Sequence, residues 1–466
     1  MYTRLFKLCG FEVDEIGRER ARIDKAFKIA GIKVEDVERA EVRVRKYFDI
    51  ELTGVRKILG IWLKQLIDLV LAREERKKLV YICFPPVARH GLAAMLASED
   101  VYCHSPEIVI DVVLGQIFGK INPILEAAEQ HGMPPGLAMC SLNQARLGAI
   151  VNGIAPIPDV TLTSGQFCDQ SPKTDEFLHE VYGIPNIFVD ACIDSPWNEY
   201  PVISERRIQY YAGELTRGRE KLQDTLGFEI SEEARREAIR GYAKLWWAMQ
   251  QVWELNRSDP IPISQADLGL FYWMVACPER RALQDGLQII GTLARELKQR
   301  VDEGRGVVEK GTPRVAWMAN HATDPSIPRM FEEVGLAIPV SVFGWISPIE
   351  TVKSKFIAPD ERIAEAELRF GFYHSTSAAI FRFKEICKAW DVDGLLYAYS
   401  FSCRASGFYP LMIKKAVEQE LGIPVLALEC DLYDTRNYST EALRTRVETF
   451  TEMLRAAKIA NVGQHT

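Results

Sequence analysis

The chain has no Cys-x-x-Cys pair, which removes the zinc ribbon and the thioredoxin-type dithiol from consideration. No Gly-x-Gly-x-x-Gly follows a strand-like run, so the dinucleotide fingerprint is missing. Gly115-Gln-Ile-Phe-Gly119-Lys120-Ile121 imitates a phosphate loop but is one residue short and ends in isoleucine, where Mg²⁺ needs a hydroxyl. His179-Glu180 meets Gly183 one helical turn on instead of a second histidine, and that excludes a zincin site. The nucleophile elbow Gly-x-Ser-x-Gly is absent too. A net charge of −7 does not indicate a nucleic-acid surface, although the first 80 residues run mildly basic, and nucleic acid is not an expected partner. Long apolar runs are also lacking. Ile58 to Ala72 is interrupted by Lys64 and Asp68 and is too short to span a bilayer, and Met1 to Glu15 has no secretory core or cleavage site. The expectation is a cytoplasmic protein with no membrane contact. The ten cysteines show no close pairs in a chain large enough to need no staples, which also fits a reducing compartment. There a cysteine is a packing residue, a metal ligand or a nucleophile.

At 466 residues the chain is too long for one core and divides into two or three domains. Residues 1–75 read as helical: Ala30 to Tyr47 is charge-rich, and Val55 to Glu75 carries apolar residues at helical spacing. Lys78-Leu-Val-Tyr-Ile-Cys-Phe-Pro-Pro86 reads as a buried strand stopped by paired prolines. Strands at Ile108–Val113, Val160–Ser164 and Asn186–Asp190 then alternate with helices, the signature of a mostly parallel sheet. Residues 203–304 carry almost no strand signal. Ser231 caps a long helix to Asn256, Pro260-Ile-Pro262 breaks the pattern, and Arg280 to Glu303 forms another helix. Alternation resumes with Arg314–Ala319, a helix near Ser326–Val334 and Ile338–Phe343, and the chain closes on a helix from Thr440 to Ile459. The predicted architecture is α/β, with two Rossmann-like doubly wound parallel-sheet domains plus helical segments. Its parts are an N-terminal helical segment 1–75, a first α/β domain 76–202, a helical bridge 203–310 and a second α/β domain 311–466.

One local plan is written twice. Asp159-Val-Thr-Leu-Thr-Ser-Gly-Gln-Phe-Cys168 leads to a helix, Gly183-Ile-Pro185 and a strand ending at Asp190. Asp393-Gly-Leu-Leu-Tyr-Ala-Tyr-Ser-Phe-Ser-Cys403 leads to a helix, Gly422-Ile-Pro424 and a strand ending at Asp431. In a parallel sheet each cysteine falls at the carboxyl end of its strand, where open α/β sheets bind ligands. A following helix N-terminus favours the thiolate. Cys140, in Cys-Ser-Leu-Asn-Gln, is the third cysteine in a polar context. Polar donors beside thiolates suit a metal–sulfur centre, and three ligands leave one iron of a cubane open. The bland reading of any one cysteine is packing, and Cys9, Cys83, Cys277 and Cys387 fit it by their apolar or helical contexts. Gln166, Lys173, Ser402 and Arg404 lie near the cysteines in sequence, and none takes an assigned role.

The run from Asp393 through Cys403, Pro410, Gly422-Ile-Pro-Val-Leu-Ala-Leu-Glu-Cys-Asp431-Leu-Tyr-Asp434-Thr-Arg436 to Glu448 resembles the end of a 2-hydroxyacyl-CoA dehydratase or benzoyl-CoA reductase subunit. Cys140, Pro158-Asp159, Cys168-Asp169, Lys173 and Gly183-Ile-Pro185 resemble the first half of the same family. So does Leu79-Val-Tyr-Ile-Cys-Phe-Pro-Pro, without the acidic residue usual after that proline. The likeness covers roughly residues 76–466 and is specific to the superfamily, not to a substrate. It implies a [4Fe–4S] cluster on Cys140, Cys168 and Cys403. It also implies a CoA-thioester substrate, a related second subunit or homodimer, and a separate ATP-hydrolysing iron–sulfur activator. The chemistry implied is one-electron formation of a ketyl-type radical, leading to dehydration or to reduction, which the sequence does not rank.

Cys103, Cys192 and Cys430 are extra cysteines. A double-cubane variant of the family would draw on them, whereas the bland reading makes them packing residues. Two rival classes stand beside the enzyme: a cluster-carrying electron-relay protein, and a cluster-free two-domain protein binding a small ligand.

Overall fold

Two sheets carry the fold in the computed structural model. It describes residues 2–464 apart from 77, 84, 135–138, 194, 320–321, 347–352, 371–374 and 401, and leaves out the side chains of 85–86, 404–405 and 460–464. The first sheet contains β1 (Lys78–Cys83), β2 (Val101–His104), β3 (Val160–Ser164) and β4 (Asn186–Val189). The second contains β5 (Arg314–Trp317), β6 (Ala337–Ser341), β7 (Gly394–Tyr399) and β8 (Val425–Glu429). All pairings are parallel, in the orders β2-β1-β3-β4 and β6-β5-β7-β8. The two sheets therefore share one topology, and the expected α/β class with two Rossmann-like sheets is what the chain adopts. Parallel sheets need cover on both faces, and β3 and β6 are buried at every position.

The repeated plan is structural. Before β3, the Asp159 carboxylate accepts the Leu79 N–H at 2.6 Å while its own N–H donates to the Leu79 carbonyl at 2.9 Å. Before β7, Asp393 makes the same exchange with Arg314, at 2.8 and 2.7 Å. The acid that opens each unit thus extends the ladder by one side chain. Gly183 and Gly422 both end their helices with φ of 67°, and the carbonyls of Pro185 and Pro424 accept from Thr161 and Leu395 at 2.9 and 3.0 Å. Only glycine takes that left-handed turn without strain.

In each sheet the order reverses at its first strand, so the crevice at the carboxyl ends lies between β1 and β3, and between β5 and β7. Cys83 ends β1, opposite Thr163 of β3. Cys168 stands four residues beyond β3, and Cys403 four beyond β7.

One strand expectation is overturned. Ile108–Val113 is helical: Pro106–Val109 is an α-helix that continues as a π-helix over Ile110–Ile117. Every residue from Pro106 to Ile117 is buried, so the apolar run carries no period, and length and Pro106 at the helix start decide for helix. The strand lies just upstream as β2. Gln265–Ala276, buried all round, escapes pattern reading for the same reason. The other helices of the middle region, Glu205–Leu226, Glu232–Leu255 and Leu287–Asp302, leave it free of strands among the described residues. Ser231 caps Glu232–Leu255 as expected, accepting from the Ala234 N–H at 3.2 Å.

Residues 2–75 form helices Thr3–Leu8, Val13–Ile29, Val34–Tyr47 and Thr53–Glu75. Thr53–Glu75 is buried along most of its length and joins the core on the β1 side that Leu79 and Tyr81 face. It meets Leu287–Asp302 so closely that a Cβ on Gly54 would stand 2.7 Å from that of Leu293. The opposite face of the first sheet packs on Pro85–Ala97, Glu205–Leu226 and Pro359–Phe370.

Replacing Gly183 or Gly422 by alanine should cost about 1 kcal/mol each, because the added methyl meets no neighbour and only the backbone is strained. Urea denaturation of the two variants checks this, and unequal losses would show that the two turns are not equivalent.

Candidate functional site

Cys140 stands in extended backbone at the N-cap of helix Ser141–Val151 and is 8% exposed. Cys168 follows the turn that leaves β3 and precedes helix Gln170–Tyr182; Cys403 follows β7 and precedes the short helix Arg404–Gly407. Three thiols from two sheets thus meet at helix N-termini. They sense one another. Burial pushes the Cys140 thiol well up, with Cys168 and Cys403 adding to the rise. Burial, then Cys403, pushes Cys168 up to about 11. Cys403 is raised by burial, and then by Asp431 and Asp169.

Opposing this, the backbone N–H three residues on favours the thiolate in every case: Asn143 for Cys140, Ser171 for Cys168 and Ser406 for Cys403. The Asn143 side-chain amide also donates to the Cys140 sulfur at 3.4 Å. The common element is Cys-x-x-Asn or Cys-x-x-Ser, the spacing of an N-terminal cap. That signal was present in the sequence, at Asn143, Ser171 and Ser406, and attention to the cysteines alone passes over it.

Polar side chains stitch the two halves at this point. Ser141 and Ser402 donate to one oxygen of Asp431 at 2.7 and 3.2 Å, and the Gln170 amide donates to the Ser402 carbonyl at 2.5 Å. Burial raises the Asp431 carboxyl, against the lowering effect of Ser141. The family-like pair Asp434 and Arg436 closes the next turn, and Arg436 reaches Glu129 at 2.6 Å. Aromatic rings cluster around Phe167, the residue before Cys168: Phe167 lies 5.8 Å from Phe343 and 6.1 Å from Phe370, and Phe343 lies 6.4 Å from Tyr272. Trp246 and Trp253 pack behind it, while Trp247 is 54% exposed.

The remaining candidates separate. Gln166 turns to the Glu367 carbonyl, Lys173 pairs with Glu176 at the surface, and the Arg404 side chain lies outside the described residues. Cys103 is buried in the apolar core of the first sheet with Cys277 as its thiol neighbour. Cys430 is buried in the core of the second, its thiol pushed up to about 12 by burial. Cys192 is half-buried, and its carbonyl accepts from Arg207. Cys83 packs in the core as its context suggests, and makes one polar contact besides. Its thiol donates to Ser171 Oγ and feels Cys168, because β1 and β3 are neighbours across the switch point.

Among the described residues no three His, Cys, Asp or Glu side chains are gathered tightly enough to hold a single ion. A cubane asks for something different, three thiolates on separate irons about 6–7 Å apart, with hydrogen-bond donors to sulfur. The donor set fits that group: soft ligands, mutually coupled, each beside an N–H. No helix among the described residues is long and apolar enough to cross a membrane.

The family model described as 2-hydroxyglutaryl-CoA dehydratase, D-component, matches residues 102–454. The chain belongs to that family. It is 24% identical over 311 residues to the alpha subunit of (R)-2-hydroxyglutaryl-CoA dehydratase from Acidaminococcus fermentans, a match covering 65% of this chain and 61% of that subunit. It is 23% identical over 361 residues to the (R)-phenyllactyl-CoA dehydratase alpha subunit of Clostridium sporogenes, covering 73% and 83%. A benzoyl-CoA reductase subunit of Thauera aromatica is 22% identical over 337 residues, covering 68% and 76%. Dehydratase and reductase subunits thus both stand among the relatives of this dehydratase-family chain, as its motifs suggested.

Beneath the thiols lies a buried ion cluster. Arg146, two turns after Cys140, donates to Glu107 at 3.0 and 2.7 Å and to Asp175, two turns after Cys168. All three side chains are at most 1% exposed. The pair Arg146–Asp175 therefore clamps the two cysteine-bearing helices together. Arg146→Ala would leave two buried carboxylates without their cation and should cost roughly 3–5 kcal/mol in chemical denaturation. Burial, partly offset by Arg146, raises Asp175 to about 6. The folded state therefore holds this proton more tightly than the unfolded chain, and the corresponding stability is lost as pH rises from about 4 through 6. Asp175→Asn should flatten that part of the stability–pH curve.

Proposed function

We propose that this chain is the iron–sulfur subunit of an enzyme acting on a CoA thioester, with a [4Fe–4S] cluster held by Cys140, Cys168 and Cys403. The convergence of three mutually coupled thiols at the carboxyl ends of both sheets carries the reading. When bound, such a cluster supplies single electrons, which convert a thioester to a ketyl-type radical ready for loss of a 2-hydroxyl or for reduction. The chain's own part is to ligate, orient and dry the site. The amides of Asn143, Ser171 and Ser406 offset the charge of three thiolates, while Phe167, Phe343 and Phe370 gather apolar surface at the residue before Cys168. The electron comes from a separate ATP-hydrolysing iron–sulfur activator, since this chain offers no phosphate loop.

A related second subunit completes the enzyme, as the relatives suggest, each being named as one subunit of its enzyme. Phe408, Leu411 and Met412 stand 78%, 79% and 45% exposed at the start of helix Pro410–Leu421, a few residues beyond Cys403. An apolar patch of that kind beside the site suits a partner's surface.

Two measurements test the reading. Anaerobically purified protein should hold about four iron and four sulfide per chain, Cys403→Ala should lose the iron while keeping most of its fold, and the pure chain should show no ATPase. Iron content unaltered by that substitution, or ATP hydrolysis by the chain alone, contradicts the assignment. Replacing Phe408 and Leu411 by aspartate should abolish assembly with a second subunit in sedimentation, at unchanged iron content.

A further inference from the structure

Three side chains beside the cysteine trio form a line of hydrogen bonds with a single direction. The Cys83 thiol donates to Ser171 Oγ, Ser171 donates to Asn143 Oδ1 at 2.8 Å, and the Asn143 amide donates to the Cys140 sulfur at 3.4 Å. Cys83 is 1% exposed, and Ser171 and Asn143 are fully buried. A hydroxyl has one proton to give. Because Ser171 gives it to Asn143, its remaining oxygen capacity is met by Cys83. The order also fixes the amide. With Oδ1 held by Ser171, the N–H of Asn143 must face sulfur; turned over, the amide would present its oxygen to a thiolate.

We propose that Cys83, Ser171 and Asn143 are positioning residues that polarise this chain toward Cys140 and raise the reduction potential of the group it ligates. The inference rests on the cluster reading above. A hydrogen bond to a ligating sulfur withdraws electron density and favours the reduced state, and successive dipoles strengthen the terminal bond. Ser171 serves two sulfurs at once: its main-chain N–H favours the Cys168 thiolate, and its side chain relays to Cys140. Cys83 acts at the far end without ligating. Its place at the end of β1, next to β3, puts it within reach of Ser171 and nowhere near solvent.

The test compares wild type, Ser171→Ala, Ser171→Thr, Cys83→Ala and Asn143→Asp in the full chain after anaerobic reconstitution with iron and sulfide. Iron and sulfide per chain are measured first, then the midpoint potential by a redox titration followed by electron paramagnetic resonance. Ser171→Ala and Cys83→Ala should keep wild-type iron content and shift to lower potential, Ser171→Ala by more. Asn143→Asp, which turns the donor into an acceptor, should shift furthest, and Ser171→Thr should restore the wild-type value. Full iron content with an unmoved potential in both Ser171→Ala and Cys83→Ala would overturn the relay alone. Loss of iron in either would make the residue a ligand or a packing element and also overturn it. A wild-type chain that takes up no iron or sulfide would instead remove the cluster reading, and this inference with it.

Discussion

Drawing three thiols together at one place, one buried and two half-buried, makes each harder to ionise, and the rest of the site answers to that cost. Burial is the first cause of the rise at Cys140, Cys168 and Cys403; neighbouring thiols deepen it at the first two, and Asp431 and Asp169 deepen it at the third. Left as thiols, they would be three uncharged groups with no reason to be surrounded by donors. The amides at Asn143, Ser171 and Ser406, the Asn143 side chain and the helix starts all oppose the rise, and all make sense for thiolates. On the proposed reading, a cation replacing the protons would resolve the conflict, because thiolate ligation to a metal and loss of the thiol proton are one event.

The duplicated topology explains how cysteines from distant parts of the sequence reach one place. Each sheet reverses its strand order beside its first strand, and each third strand delivers a cysteine four residues past its end. The equivalence extends to the ladder acids Asp159 and Asp393 and to the left-handed glycines, so it is a property of the backbone and not only of composition. Cys140 has no counterpart in this scheme. It enters from the helix that Arg146 ties to the Cys168 helix through Asp175.

Local grammar was legible where a residue type has one mechanical meaning. Gly-Ile-Pro after a helix, an acid before a strand and a serine before Glu232 each forced one structure, and the cysteines at strand ends followed. What escaped reading was set by contacts across the chain. Residues 106–117 and 265–276 are buried on all sides and lose the amphipathic period that distinguishes helix from strand. The contact of Cys83 with Ser171 was not readable because nothing local reveals that β3 will lie beside β1. The roles of Asn143, Ser171 and Ser406 were readable in principle as a threefold Cys-x-x-Asn or Cys-x-x-Ser, yet Ser and Asn are common enough that only the shared geometry gives the spacing weight.

The site also decides how the two halves relate. Cys140 and Cys168 belong to the first sheet's surroundings and Cys403 to the second, so the trio exists only when the halves are held together. Ser141, Ser402 and Gln170 hold them through Asp431 and the Ser402 carbonyl, within a few residues of each cysteine. Such polar bonds, buried and directional, fix register more than they add stability. A group ligated by all three thiolates would bind only the joined arrangement, and its binding free energy would then act as a clamp between the halves. Electron delivery and closure of the crevice would in that case depend on the same few hydrogen bonds, since anything that parts Ser141 from Asp431 also draws Cys140 away from Cys403.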